Sequence, residues 1–277
     1  MTTGAAKPAN PPKRVFSGRW ARTAPARALR EVVQVAGLRT LMRVQLQLDV
    51  HGRDELRGFT GPAIIVANHA SHLDTAVLLT TLPAERRRRT AVAAAADYFF
   101  VKWWSAVSSA IAFNTFPIER RGGALTTTPA ELLAQGWSVV VYPEGTRSRD
   151  GFIARFRIGA AWMAVKYGVP VIPVGLRGTY AAMPRGSSWL VRGRPRVSVR
   201  YGAPIVPQPG QTARDIAPRV SAAVRALVAE DETTWWKTQR AGAQVTTPPT
   251  ASWRRIWEQA QPPVVGGSLR RTKIWRG

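Results

Sequence analysis

Short apolar runs, each the length of one buried strand, alternate with stretches of helical spacing through the middle of the chain, and this alternation limits the fold more than any other feature. The runs are Ala63–Ala67, Ala91–Ala95, Ser138–Tyr142, Val169–Val174 and Val197–Tyr201; the helical stretches cover 73–82, 124–135, 154–167 and 212–229. Strands without a polar face need cover on both sides, and intervening helices supply the crossovers that parallel pairing requires. The expected class is therefore α/β, with a mainly parallel, mixed sheet flanked by helices. Proline cannot donate to a ladder, so Pro170 and Pro173 mark Val169–Val174 as an edge strand.

Composition shifts at both ends divide the chain. Residues 1–23 are rich in Pro, Gly, Ala, Lys and Arg and are read as a mobile basic arm; 24–232 form a single folded domain; 233–277 are a Trp- and Arg-rich tail containing Trp235, Trp236, Trp253, Trp257 and Trp275. Just inside the domain, Leu29, Val32, Val33, Ala36, Leu41, Val44 and Leu48 follow helical spacing, with Arg27, Arg30, Arg39 and Arg43 largely off that stripe. An N-terminal amphipathic helix docked by its apolar face on its own domain is the expectation, and contact with an anionic bilayer is the alternative. Neither a signal-peptide core in Met1–Pro12 nor a run of about 18 uncharged apolar residues is present, so the protein is expected to be neither secreted nor an obvious integral membrane protein.

The formal net charge of +24 attracts polyanions whatever the fold: nucleic acid, anionic lipid headgroups or phosphorylated small molecules. Of the 40 basic residues six are lysine and 34 arginine, whose forks suit bidentate phosphate binding; a composition rich in Ala, Arg, Gly and Pro is the competing explanation. With no cysteine, disulfides, thiolate metal sites and a cysteine acyl-enzyme are excluded, and a reducing cytoplasm is a natural setting.

Chemistry concentrates where strands run into turns. In Ile64-Ile65-Val66-Ala67-Asn68-His69-Ala70-Ser71-His72-Leu73-Asp74 a buried strand delivers a histidine five residues before an aspartate at the start of a helix. An imidazole can take a proton from a hydroxyl while a carboxylate on its other nitrogen holds the tautomer and stabilises the cation formed. His72 offers a rival, metal-like arrangement, but a catalytic zinc wants three protein ligands and the remaining histidine is His51, so no metal is expected. In Val139-Val140-Val141-Tyr142-Pro143-Glu144-Gly145-Thr146-Arg147-Ser148-Arg149, Gly145 permits close backbone approach to a ligand, Arg147 offers a phosphate fork and Glu144 an acceptor for a polyol. Phe116-Pro117-Ile118-Glu119-Arg120-Arg121-Gly122-Gly123 is a third turn ending in arginines. The aromatic stretch from Phe99 to Phe113 reads mainly as core, with a bilayer interface or acyl-chain groove as the alternative.

Read in order, these blocks resemble the lysophosphatidate and glycerol-3-phosphate acyltransferase family: an Asn-His-four-residues-Asp block, an arginine-ended block, a Pro-Glu-Gly-Thr-Arg block and a Val-Pro-Val-Ile-Pro block, spanning 64–175. The resemblance implies a glycerol-3-phosphate acyltransferase-like fold in which His69 is the general base and Asp74 its orienting partner. It implies that Arg120, Glu144, Gly145, Thr146 and Arg147 hold the glycerol and phosphate of the acceptor. One departure is Asn114, which stands where the family often has glycine, six residues before Arg120. The implied reaction is direct acyl transfer from acyl-CoA or acyl carrier protein to lysophosphatidate, giving phosphatidate, with no cofactor and no covalent intermediate. A Gly-x-Ser-x-Gly nucleophile elbow is indeed missing from the sequence. The oxyanion donors are not named by the sequence, although backbone amides around Asn68 to Ser71 are geometrically plausible. The expected partners are the acyl donor, a lysophospholipid and an anionic membrane surface, with the protein peripheral on the cytoplasmic face of the cell membrane. The alternatives are another lysolipid or glycolipid acceptor and, from a different class, a basic nucleic-acid-binding protein; no motif for specific nucleic-acid binding is found.

Overall fold

The computed structural model describes residues 18–57, 59–95, 103–118, 128–187 and 189–230. Arg120 and Arg121, most of the basic arm and the whole tail lie outside them. Seven strands, β1 (Gln47–His51), β2 (Ile64–Ala67), β3 (Thr90–Ala95), β4 (Thr115–Ile118), β5 (Ser138–Val141), β6 (Val171–Arg177) and β7 (Arg196–Tyr201), form one sheet of order β1-β7-β6-β2-β5-β3-β4. Neighbours from β6 to β4 run parallel; β7 is antiparallel to β6, and β1 runs parallel to β7. The mainly parallel sheet is as expected.

The helices are α1 (Ala24–Val32), a π-helical segment Val33–Arg39, α2 (Thr40–Gln45), α3 (Leu73–Thr81), α4 (Ala84–Arg88), α5 (Trp103–Phe113), α6 (Thr128–Ala134), α7 (Gly159–Tyr167), α8 (Thr179–Ala182) and α9 (Ala213–Ala229). Alternating residues of each central strand serve opposite cores. Ile65, Val140, Ile172 and Val174 pack with Leu78 and Leu79 of α3, whereas Ile64, Val66, Val139 and Val171 pack with Met163 of α7 and Val220 and Val224 of α9. Gly175 lets α9 lie directly on β6: a Cβ there would come within 2.8 Å of the Leu227 Cβ.

Four sequence expectations are corrected. The strand read as an edge is central, between β2 and β7. Its Pro173 points its nitrogen away from β2, toward chain that has already left β7, where Gly202 donates to the Pro173 carbonyl and no donor is required. The helix read as 154–167 begins at Gly159, because 154–158 is pinned across the turn after β5: Ala154 donates to Glu144 and Arg157 to the Pro143 carbonyl. Leu48 belongs to β1, and β1 and β4 escaped the sequence reading altogether.

The N-terminal helix is also turned over relative to its expected docking. Leu29, Val32, Val35 and Val44 are exposed, while Arg30 and Gln34 are buried. Arg30 donates to the carbonyls of Ala21, Ala110 and Ile111, and Gln34 to that of Ala112. These polar side chains cap the last turn of α5, adding to the bond that Ala110 accepts from the Asn114 amide. Among the described residues no helix is long and apolar enough to cross a membrane.

Candidate active site

The site lies at the carboxyl end of β2, where the strand hands over to a turn whose every bend is fixed by hydrogen bonds. Asn68 donates from Nδ2 to the Leu176 carbonyl and accepts the Leu176 amide at Oδ1, both at 2.8 Å. Its carboxamide thus extends the β2–β6 ladder by one further rung. Ser71 donates to the Met183 carbonyl and accepts the Leu73 amide, seating the start of α3.

His69 Nδ1 lies 2.8 Å from Asp74 Oδ2. The same oxygen accepts the amides of Ala70 at 2.7 Å and Ser71 at 2.9 Å, and Asp74 is fully buried. An oxygen receiving three donors acts as an acceptor throughout, which assigns the shared proton to Nδ1 and leaves Nε2 with its lone pair. Tyr142 stacks on the imidazole with ring centroids 4.2 Å apart, and its hydroxyl meets Thr75 Oγ1 at 3.0 Å. The backbone of His69 is held as well: its amide donates to Glu144 Oε1 at 2.7 Å and its carbonyl accepts the Ser148 amide at 2.8 Å.

These bonds occupy three of the amides that were plausible oxyanion donors. The amides of His69, Ala70 and Ser71 all point into carboxylates of the protein itself.

A cavity of about 580 Å³ opens beside His69 and His72. It forms where two strands part: β3 and β5 are paired only as far as Val92 and Val140, after which β3 continues with β4 and β5 ends against β2. Such a crevice between parallel strand ends is the usual ligand position in an open α/β sheet. Its deep wall is apolar, with Leu73, Ala76, Val92, Phe113, Phe116 and Met163, and its polar side carries Thr146, Arg147, Arg157 and Arg185.

Of the sequence-predicted residues, His69, Gly145, Thr146 and Arg147 line this cavity, and Asp74 touches His69 from behind it. Among the described residues no ion pair engages Arg147, so its charge is available to an anion. Glu144 is placed differently from the expected acceptor contact: it is buried, does not line the cavity, and spends both oxygens on the amides of His69 and Ala154. Gly145 has φ +73°, and a Cβ there would meet the Arg157 guanidinium at 2.9 Å, so the turn accepts glycine for both conformation and space. Asn114 has φ +52°, the left-handed region that asparagine shares with glycine, and its side chain donates to the Thr90 carbonyl. The departure from the family pattern therefore keeps the backbone conformation.

Arg157 and Arg185 were not found by sequence reasoning; Arg157 fell within the stretch read as a helix over 154–167, and both sit in irregular segments. Tyr142 stood within the quoted run, but nothing in its spacing signalled a ring stacked on the histidine.

Electrostatics separates the two histidines. Burial, with Arg147 and His69 adding to it, pushes the His72 imidazole down to about 4, so His72 is neutral near pH 7. Burial pushes Glu144 up to about 7, against the opposing effect of the two amides it accepts. Among the described residues no group of three His, Cys, Asp or Glu side chains converges on a metal-sized site. His51, on β1, is bonded to Asp49 at 2.7 Å.

Comparison with known proteins places the chain near acyltransferases in sequence and fold. Residues 47–177 match the family model described as Acyltransferase. The chain is 31% identical over 143 residues to 1-acyl-sn-glycerol-3-phosphate acyltransferase BAT2, chloroplastic, of Brassica napus, covering 52% of this chain and 41% of that protein. It is 29% identical over 170 residues to human 1-acyl-sn-glycerol-3-phosphate acyltransferase beta, covering 60% of this chain and 58% of the relative. The aligned region is thus less than two thirds of either relative. The fold is similar to the crystal structure of the 1-acyl-sn-glycerophosphate (LPA) acyltransferase PlsC from Thermotoga maritima, with a TM-score of 0.60 at 24% identity, over 80% of this chain and 86% of that one. The resemblance drawn from the order of the sequence blocks is borne out.

Proposed function

We propose that the chain uses its acyltransferase-like region, residues 47–177, to move a fatty acyl group from a thioester donor to the free hydroxyl of lysophosphatidate, giving phosphatidate. The observation that carries this reading is the 2.8 Å contact between His69 Nδ1 and a buried Asp74, at the mouth of a largely apolar cavity with arginines along its polar side.

In this reading Nε2 of His69 takes the proton of the acceptor hydroxyl as its oxygen attacks the thioester carbonyl. The tetrahedral intermediate collapses, the C–S bond breaks, and the imidazolium returns the proton to the departing thiolate. Asp74 stabilises the imidazolium and prevents the ring from turning. Arg147 pairs with the acceptor phosphate, and the apolar wall receives hydrocarbon. The donor is acyl-CoA or acyl carrier protein, and both present the same thioester.

The exposed Leu29, Val32, Val35 and Val44, with exposed Arg27 and Arg43 on the same helical segment, support peripheral attachment to an anionic membrane at its cytoplasmic face. The test of function is purified protein with long-chain acyl-CoA or acyl carrier protein and a panel of lysolipids and glycolipids, with products identified by mass spectrometry. Phosphatidate formation that is lost in His69→Ala supports the reading. Acylation of a different acceptor alone would move the substrate assignment, and no acyl transfer to any acceptor would end it.

A further inference from the structure

The turn after β5 does two jobs that its sequence does not separate. Pro143, Gly145, Thr146 and Arg147 line the cavity, but Glu144, in their midst, turns inward and is only 5% exposed. Its Oε1 accepts the His69 amide at 2.7 Å and its Oε2 the Ala154 amide at 2.8 Å. Four residues on, the Ser148 amide donates to the His69 carbonyl at 2.8 Å, and Tyr142, two residues before, stacks on the ring. The peptide groups on both sides of His69 are therefore held by one short segment from a neighbouring strand, while Asp74 holds the side chain from its own turn.

We infer that Glu144 is a positioning residue for the general base: its carboxylate fixes the backbone of His69 and ties it to the segment carrying Arg157, and it does not bind the acceptor. This inference rests on the acyltransfer reading of His69. The chemistry of the contact requires a carboxylate. Both partners are N–H donors, so an amide in its place would turn an NH₂ toward one of them, and a protonated carboxyl would do the same with its O–H. A base displaced by even 1 Å from its acceptor hydroxyl can lose on the order of 10²-fold in rate. The grip also has a pH dependence. Burial holds the carboxyl near neutrality; Asp74 raises it further, Arg225 and the two amides lower it, and Arg157 lies against the adjoining Gly145. The ionised form is the one that accepts two amides, so the rate falls as pH drops through about 7.

The experiment measures kcat and acceptor KM separately for Glu144→Gln and Glu144→Asp, the latter keeping the charge but falling one methylene short. His69→Ala is assayed alongside. The expected result for both Glu144 variants is a kcat loss of roughly ten- to a hundredfold with acceptor KM within about twofold of wild type. In Glu144→Gln the acid limb of the pH–rate profile should be shallower, because one ionisation has been removed. If Glu144→Gln does not fold, the kcat and KM of Glu144→Asp decide the matter. A large rise in acceptor KM at unchanged kcat would make Glu144 an acceptor ligand, and wild-type kinetics in both variants would make it a packing residue; either overturns the inference. Residual turnover in folded His69→Ala would instead overturn the general-base reading itself, whatever Glu144 does.

Discussion

The side chain of Asn68 and the backbone of Leu176 exchange two 2.8 Å hydrogen bonds, so the residue before the histidine is locked to the neighbouring strand 108 positions away in sequence. That link decides where β2 ends and the turn begins. Asn68→Leu keeps the volume but leaves both polar groups of Leu176 without these partners in a buried site. At about 1–3 kcal/mol for each buried unsatisfied group, the variant should lose roughly 2–6 kcal/mol of stability. Urea denaturation should show a lower midpoint at unchanged slope, and stability within about 0.5 kcal/mol of wild type would mean that the turn is held by its other bonds.

The catalytic pair makes a sharper prediction. His69→Ala should lower acyl transfer by at least about 10²–10⁴ in a folded protein, and Asp74→Asn should approach it, since an amide keeps the shape but neither the charge nor reliable control of the tautomer. His72→Ala is the internal control. It lines the same cavity, and the general-base reading gives it no part in proton transfer from the acceptor. Steady-state rates for the three variants check the assignment; equal loss in His69→Ala and His72→Ala, together with inactivation of the wild type by chelators, would point to a metal instead.

Arg147 belongs to the turn after β5 and lines the cavity. Arg147→Ala should cost about 1.5–3 kcal/mol in acceptor kcat/KM, one to two decades, while dependence on the acyl donor changes little. Varying each substrate at saturation of the other separates the two. An unchanged acceptor dependence would transfer the phosphate contact to Arg157, Arg185 or the arginines of the 120–121 turn.

Glu144 also predicts how stability varies with pH. Its carboxyl is raised from 4.5 to about 7 in the folded protein, so between these values the folded state binds the proton that the unfolded state has released. Its contribution is therefore most favourable below about pH 4.5, declines as pH rises, and levels off above about 7, a total on the order of 3 kcal/mol. Other groups titrate as well, so the informative quantity is the difference between wild type and Glu144→Gln. Denaturation at about pH 5 and pH 8 should show that the stability lost by wild type on going to the higher pH is largely absent from the variant. A residue kept charged for catalysis at the expense of stability is a common compromise at active sites.

Much of this protein follows from local pattern. The apolar runs of β2, β3, β5, β6 and β7 and the helical spacing of α3 and α9 are set by residues adjacent in sequence, and periodicity reports them directly. His69 and Asp74 are legible for the same reason, being five residues apart on one turn. Arg30 and Gln34 are not: their burial depends on the carbonyls of α5, about 80 residues away, and a helix read in isolation assigns its polar side chains to solvent. Nor is the role of Glu144, Asn68 or Ser148, whose partners lie on segments distant in sequence or in other turns, or the entry of Arg157 and Arg185 into the cavity. The sequence by itself determined the fold class, the pairing of His69 with Asp74 and the order of the blocks, because each is carried by neighbouring residues. Only the tertiary structure decided that Glu144 turns away from the cavity to two backbone amides, since a side chain's hydrogen-bond partners are chosen by the elements that packing brings to it.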